Sequence, residues 1–438
     1  MVFVLGRARG VRWAALVLLA GVGCGARTTL SVEVDAARAD ASVPRIDAGF
    51  DGGVEGVDGG LDGGFDGGFD AGLDGGTIYV PPEAGCAEVR MGVRPPSDVP
   101  QVDLLFVIDD SRSMAQEQEL LAESAPLFVR TLASGDLDGD GSLDFPPVTD
   151  LQVGVISTDL GWVRLRGDEL VATSCLSPDG VPGGRDGLLQ PIDPTRVGCE
   201  GMPTQFFLRY SDGDSIDAFE RSFGCMASLG VDGCGFEQPL EAALKALTPS
   251  TSPVRFLGDA VGHGDSLNAG FLRPGSILAI VVVSDEDDVS VADASFLELG
   301  EERFVLEDGW RHPIARYVDG FAALRADPAH VVFAAIAGVP PELSGPIDTP
   351  ERADAILADS RMQRRYDPDS GTGLRPACTS SGGSATPPRR LVEVARGMAG
   401  RAVVQSICED DFRPAVAVIA QRLGELVETT WCVDGEGP

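Results

Sequence analysis

The sequence predicts an α/β fold with a doubly wound, mostly parallel central sheet flanked by helices, and two observations carry that expectation. Five apolar runs, at residues 102–108, 151–156, 277–283, 331–336 and 402–407, are nearly continuous rather than alternating, as strands buried on both faces are. Helical patterns lie among them, and strand and helix in alternation build a doubly wound sheet. In that architecture ligands bind beyond the carboxyl ends of the strands.

The helical elements follow from spacing and punctuation. Phe412, Val416, Ile419, Leu423 and Leu426 form one apolar stripe, with Asp411 placed to cap it. Pro387 and Pro388 open another helix carrying Leu391, Ala395 and Met398, closed by Gly400. Residues 115–133 also read as helix, with Pro126 expected to kink or interrupt it. Two long stretches, 159–235 and 339–386, break the alternation. They are rich in Gly, Pro, Asp and Ser and contain cysteines, so they read as disulfide-pinned surface insertions with room for partner specificity.

The first fifth of the chain is poor folding material. Arg7, Arg9 and Arg12 precede an apolar stretch from Trp13 to Val22 that is too short to span a bilayer, and Gly23-Cys24 follows. Residues 1–23 therefore read as a signal peptide and Cys24 as a lipid-bearing first residue, although Gly21 stands where bacterial lipoproteins usually have Leu. Residues 24–85 form an acidic Gly/Asp-rich tether in which Asp47, Asp58, Asp62, Asp66, Asp70 and Asp74 recur among glycines, too costly in backbone entropy to order. The period of four does not match the longer repeat of a calcium-binding β-roll. The folded domain is expected at 86–435. The formal net charge of -34 argues against nucleic acid or an anionic membrane surface as partner and suits bound cations. The expected membrane attachment is through the lipid anchor alone, at the outer membrane or cell surface.

Setting Cys24 aside leaves eight of the nine cysteines, an even number for an oxidising compartment. Local closure favours Cys175–Cys199, Cys225–Cys234 and Cys378–Cys408, and the remaining Cys86–Cys432 would tie the ends of the domain together. Zinc is the competing use of cysteine, but there is no Cys-x-x-Cys pair, and His263, His312 and His330 are scattered.

The chemistry-bearing residues gather after two apolar runs. The first ends in Ile108-Asp109-Asp110-Ser111-Arg112-Ser113, which sets a carboxylate and two hydroxyls on a tight turn, hard oxygen donors for a small divalent cation. The run at 277–283 ends in Ser284-Asp285-Glu286-Asp287-Asp288, bringing Asp285 to the same edge. Helix capping by Asp109, Ser111 and Ser113 is the plainer use of those residues, but it does not account for acids after a second buried strand.

On these residues the chain resembles the von Willebrand factor A family over residues 100–427. Asp109, Ser111 and Ser113 match the Asp-x-Ser-x-Ser of that family's metal-ion-dependent adhesion site, and Asp285 matches its second aspartate. It is also similar to lipid-anchored A-domain proteins of myxobacteria, which share an acidic tether and a Ser-Asp-Glu-Asp-Asp run. The resemblance implies a site for magnesium, manganese or calcium in which a ligand carboxylate completes the coordination. The family's metal-binding Thr is missing before the helix 236–247, where the sequence is Gly233-Cys234-Gly235-Phe236-Glu237, and Thr158 or Glu237 is the candidate replacement.

A second motif, Asp136, Asp138, Asp140, Ser142 and Asp144, alternates oxygens around glycines as in the first nine positions of an EF-hand calcium loop, but Pro147 stands where the bidentate Glu belongs. A calcium site and a bare Asp-Gly turn both account for it.

These features imply a cell-envelope module that binds a divalent metal and captures an acidic group of a protein partner, rather than an enzyme. A metal-dependent hydrolase is the alternative, with Asp287 or Asp288 as general base, but histidine is scarce and no Gly-x-Ser-x-Gly elbow or His-Glu-x-x-His helix occurs. A third reading is a structural envelope-assembly protein whose metal only stabilises the fold. Mass spectrometry of the mature amino terminus is expected to find a diacylated Cys24; an unmodified terminus elsewhere would refute the anchor.

Overall fold

The computed structural model describes residues 101–161, 163–166, 169–172, 184–293, 301–381 and 383–434. The expected signal peptide, Cys24, the expected tether and Cys86, with its expected pairing to Cys432, lie outside the described residues.

The five apolar runs are the five parallel strands of the sheet. They form β1 (Gln101–Ile108), β2 (Asp150–Ser157), β6 (Ile277–Val283), β7 (Val331–Ala337) and β11 (Ala402–Ser406). Two short strands, β5 (Phe207–Ser211) and β8 (Gly345–Ile347), close the edges antiparallel, giving the order β5-β2-β1-β6-β7-β11-β8. A separate antiparallel pair, β3 (Val163–Arg166) and β4 (Glu169–Ala172), lies in the first insertion.

Strand alternation divides the core into two layers. Leu104, Phe106 and Ile108 of β1 face α1 (Ala115–Ser134), α2 (Ile216–Ala227) and α8 (Arg413–Asp434). Leu105 and Val107 face α3 (Pro239–Leu247), α5 (Ala315–Ala322) and α7 (Arg389–Gly397). Helix α6 (Pro350–Ala358) packs on the second layer through Ala353 and Ile356, whereas α4 (Glu301–Leu306) places Phe304 against a separate small cluster with Val291 and Trp310. Phe106 anchors the first layer: its ring meets Phe128 edge-on at 5.8 Å and Phe223 at 5.0 Å. Asp411 accepts a hydrogen bond from the Arg413 N–H at 2.9 Å, capping α8 as its position suggests. Helix α1 runs through Pro126 instead of breaking there. The proline removes the donor that the Ala122 carbonyl would have used, and α2 comes close at that point through Gly224, where a side chain would stand 3.5 Å from the Ala122 oxygen.

The two insertions are more than surface excursions. The stretch 159–235 supplies edge strand β5 and helix α2, whose Phe219, Phe223 and Met226 enter the core, and 339–386 supplies β8 and α6. Edge strands this short are half exposed, so they lack the continuous apolar run that marks a buried strand.

The cysteine pairing also differs from local closure. Cys378–Cys408 is present, joining β9 (Cys378–Thr379) to the end of β11. Cys199, however, pairs with Cys225 across a Cα–Cα distance of 5.8 Å, so neither Cys175–Cys199 nor Cys225–Cys234 forms, and Cys234 is in a disulfide of its own. The cause is α2, which folds back over the turn at 196–202: Arg196 bonds the Leu229 carbonyl, and the Cys225 sulfur lies 3.8 Å from the Gly198 oxygen. Sequence proximity favoured Cys234 as partner for Cys225, but the helix carries Cys225 back to Cys199 instead.

Non-reducing peptide mapping is expected to recover the Cys199–Cys225 and Cys378–Cys408 peptides; a dominant Cys175–Cys199 peptide would contradict this fold. Truncating Phe106 to Ala should cost about 3–5 kcal/mol in denaturant unfolding, the usual range for a buried aromatic with partners on two helices.

Candidate metal centre

The chain leaves β1 at the point where successive connections part, since β2 pairs on one side of β1 and β6 on the other. Such a switch point opens a crevice beyond the strand ends, and Asp109 is the first residue in it. Its N–H donates to the Val283 carbonyl at 2.9 Å, continuing the ladder by one residue, and its side chain is fully buried.

The turn after Asp109 arranges oxygens. Asp109 Oδ1 accepts the Ser111 N–H at 2.8 Å, and Oδ2 accepts the Ser284 hydroxyl at 2.6 Å. Ser111 Oγ lies 3.1 Å from Ser113 Oγ, which in turn donates to Asp285 Oδ1 at 3.3 Å. Asp109, Ser111, Ser113 and Asp285 are thus joined in one hydrogen-bonded chain. The side chain of Ser111 does not cap the short helix at 112–114, so capping does not explain these hydroxyls. Gln118 from α1 bonds the Asp109 carbonyl at 2.7 Å and fixes the turn from behind.

The other wall comes from β2 and the start of α3. Thr158 continues β2, its N–H donating to the Ile108 carbonyl at 3.2 Å, and its hydroxyl donates to Glu237 Oε2. Glu237 is fully buried, and its Oε1 has no hydrogen-bond partner among the described residues. The two candidates for the missing threonine therefore form a bonded pair on the same edge as Asp109.

Charge sets this cluster apart from its surroundings. Burial pushes the Asp109 carboxyl up against the lowering hydrogen bonds of Ser284 and Ser111. Burial and then the Asp109 charge raise Asp285, and the same two causes hold Glu237 well above the ordinary carboxylate range. Partly buried Glu286 is pushed up to about 8 by burial, Asp109 and Asp285. Glu117 of α1, raised by burial, adds its charge beside Asp285. Among the described residues no Arg, Lys or His makes an ion pair or hydrogen bond with any of these five.

The neighbouring acids are treated differently. Asp110 is paired with Arg185 Nε at 2.7 Å, Asp287 with Arg364 Nη2 at 2.8 Å and Asp288 with Arg390 Nε at 2.9 Å. Asp287 also accepts the Arg390 N–H at 2.9 Å, and Asp288 the Ser290 hydroxyl at 2.5 Å and the Leu240 N–H at 3.1 Å. Both carboxylates are therefore held in place by these partners.

The 136–144 segment is a second acidic group. Carboxylate oxygens of Asp136, Asp138 and Asp144 lie within 4.8 Å of one another, an arrangement that could hold a metal ion. Asp140 and Ser142 are not part of that group. Asp140 Oδ1 accepts the Ser142 N–H at 2.7 Å, and Asp136 accepts the N–H groups of Gly139 and Gly141 at 2.7 and 3.0 Å.

The sequence did not single out Ser284, Glu286, Glu117 or Gln118. Ser284 and Glu286 flank Asp285 within an acidic run that gives no sign of which members turn inward. Comparison of the chain with protein-family models and with curated proteins gives no match.

Acids held above their unfolded pKa stabilise the fold while protonated, and that contribution is lost as pH rises through the folded value. With chelator present, the melting temperature is therefore expected to fall between roughly pH 4 and pH 8 as Asp109, Asp285 and Glu286 ionise. This window lies above that of the salt-bridged Asp186, Asp308 and Asp359, whose pKa values are lowered. A double variant Asp285→Asn, Glu286→Gln should flatten the slope; a wild-type curve without slope in this window would contradict the charge arrangement.

Proposed function

We propose that this chain is a divalent-cation-dependent binding module of the cell envelope, which captures an acidic group on a protein partner. The observation that carries the reading is the contrast between paired and unpaired acids. Asp110, Asp287 and Asp288 each have an arginine, whereas Asp109, Asp285, Glu237 and Glu286, at the same end of the sheet, have none among the described residues. Like charges drawn out of water need a compensating positive charge, and hydroxyls from Ser111, Ser113 and Thr158 stand among them. The donor set is entirely hard oxygen, suited to magnesium, manganese or calcium.

Asp109, Ser111, Ser113 and Asp285 would hold the ion, with Ser284 and Gln118 orienting Asp109. A bound divalent ion supplies the positive charge that a partner carboxylate can meet. The resemblance to von Willebrand factor A domains supports the same reading, as does the placement of the cluster at the switch point of the sheet. The Asp136, Asp138 and Asp144 group is the candidate for a second, calcium-type site. The Cys199–Cys225 and Cys378–Cys408 disulfides are compatible with an extracellular or periplasmic location, and no helix among the described residues is long and apolar enough to cross a membrane. The hydrolase reading weakens because its candidate bases, Asp287 and Asp288, are held by Arg364 and Arg390.

Titration calorimetry on protein with the 136–144 acids neutralised should show one divalent-ion site. Asp109→Ala should weaken it by about 100-fold or more, since even outer-shell losses cost 10–100-fold, while the far-ultraviolet circular dichroism stays unchanged. Equal binding in both proteins would end the adhesion-site reading. Cross-linking on intact envelopes should capture a partner without chelator and lose it with chelator.

A further inference from the structure

We infer that the outer side of β5 is a docking edge for an extended segment of a partner protein, with an acidic residue of that segment set against Arg209. The inference does not depend on the cation reading, since β5 is the edge strand of the sheet and supplies none of the candidate metal ligands.

The two edges of the sheet are finished differently. At one, β8 is three residues long and carries Pro346, which has no N–H to offer a further strand, and Arg352 reaches the Leu343 and Ser344 carbonyls at 2.8 and 3.2 Å. At the other, β5 is five residues long, without Pro or Lys, and among the described residues no strand lies on its outer side. Phe206, just before it, is 59% exposed.

Hydrogen bonding shows which groups of β5 are open. Ser211 spends its N–H on Asp214 Oδ2 at 2.8 Å and its carbonyl on the Asp214 N–H at 3.0 Å, so it faces away from β2. In an antiparallel ladder the N–H and C=O of one residue point the same way, and the direction alternates along the strand. Leu208 and Tyr210, opposite Val153 and Leu151, therefore bond β2, while Phe207 and Arg209 turn their N–H and C=O outward. Packing holds the strand in that orientation. Phe207 meets Phe271 edge-on at 5.8 Å on one face, and Tyr210 meets Phe219 at 5.5 Å on the other. A groove of about 280 Å³ beside the strand, lined in part by Gln205, Leu208, Ser215 and Phe219, has room for a side chain.

An open, fixed and unguarded edge accepts an added strand through its main chain, and the side chains opposite set the sequence preference. Arg209 sets it here. Its guanidinium carbon lies 5.1 Å from the Phe207 ring centre, and the exposed side chain makes no ion pair among the described residues. By contrast, Arg130 of α1 is already held by Asp217 and Glu220 of α2. A carboxylate directly across from Arg209 is favoured there over an ammonium.

The test is run in chelator on the full-length protein, so that no bound cation offers a rival site for a carboxylate. The probes are a labelled seven-residue peptide of alternating Thr and Val with Glu at its centre, and the same peptide with Lys there. The Glu peptide should bind wild type about fivefold more tightly than the Lys peptide, the scale of one cross-strand charge pair. It should also slow hydrogen exchange at the Phe207 and Arg209 N–H groups. Arg209→Glu should invert the preference. Arg209→Pro removes an outward N–H without touching the ladder to β2, and should abolish binding of both peptides with the far-ultraviolet circular dichroism unchanged. If that variant unfolds, the inversion by Arg209→Glu still decides. No binding to wild type, equal binding of the two peptides, or binding without protection at Phe207 and Arg209 would overturn the inference, as would full binding by a folded Arg209→Pro.

Discussion

The structure turns on an electrostatic imbalance at one end of its sheet. Asp109, Asp285, Glu237 and Glu286 are gathered where water is largely excluded, and none is matched by a basic side chain among the described residues. Elsewhere the chain does not tolerate this. Asp103, buried inside β1, is bonded by Arg273 Nε and N–H at 2.7 Å each and by the Ser276 hydroxyl at 2.5 Å. The same strand thus carries a neutralised acid near its start and an unneutralised one just past its end. Burying unpaired charge costs several kcal/mol per group, and such concentrated expense points to use rather than accident.

The sheet makes the gathering possible. Central β1 is flanked by β2 and β6 in parallel register, with Ile108 opposite both Ser157 and Val283. Three strands therefore end level, and the residues after each end, Asp109, Thr158 and Ser284, meet at one height. The arginines stand outside this inner ring. Arg185 comes from the first insertion, Arg364 from the second and Arg390 from α7, so the acids they hold are fixed as the walls of the site.

Much of this was legible in the sequence, because a strand buried on both faces leaves an unmistakable apolar run and an acid that ends the run must sit at the sheet edge. That logic found Asp109, Ser111, Ser113 and Asp285 and the five parallel strands. It did not find β5 or β8, whose half-exposed residues carry no such run. Nor could it separate Glu286 from Asp287 and Asp288, since what divides them is an arginine arriving from Arg364 or Arg390, more than seventy residues away. The pairing of Cys199 with Cys225 escaped for a related reason: it depends on the direction in which α2 folds back, which local spacing does not encode. Sequence periodicity reports burial well, and long-range partnership poorly.

The Cys378–Cys408 bridge has a practical consequence. It fastens the small hairpin of β9 and β10 (Ser384–Ala385), and the residue after that hairpin, Thr386, donates its N–H to the Asp285 carbonyl at 2.8 Å. One acid of the cluster is therefore braced by a covalent link that only oxidation makes. Protein produced in a reducing cytosol would carry the same strands but an unbraced Asp285, so measurements on such a preparation would describe the reduced chain and not the bridged one. Thiol content should be established before any affinity is believed.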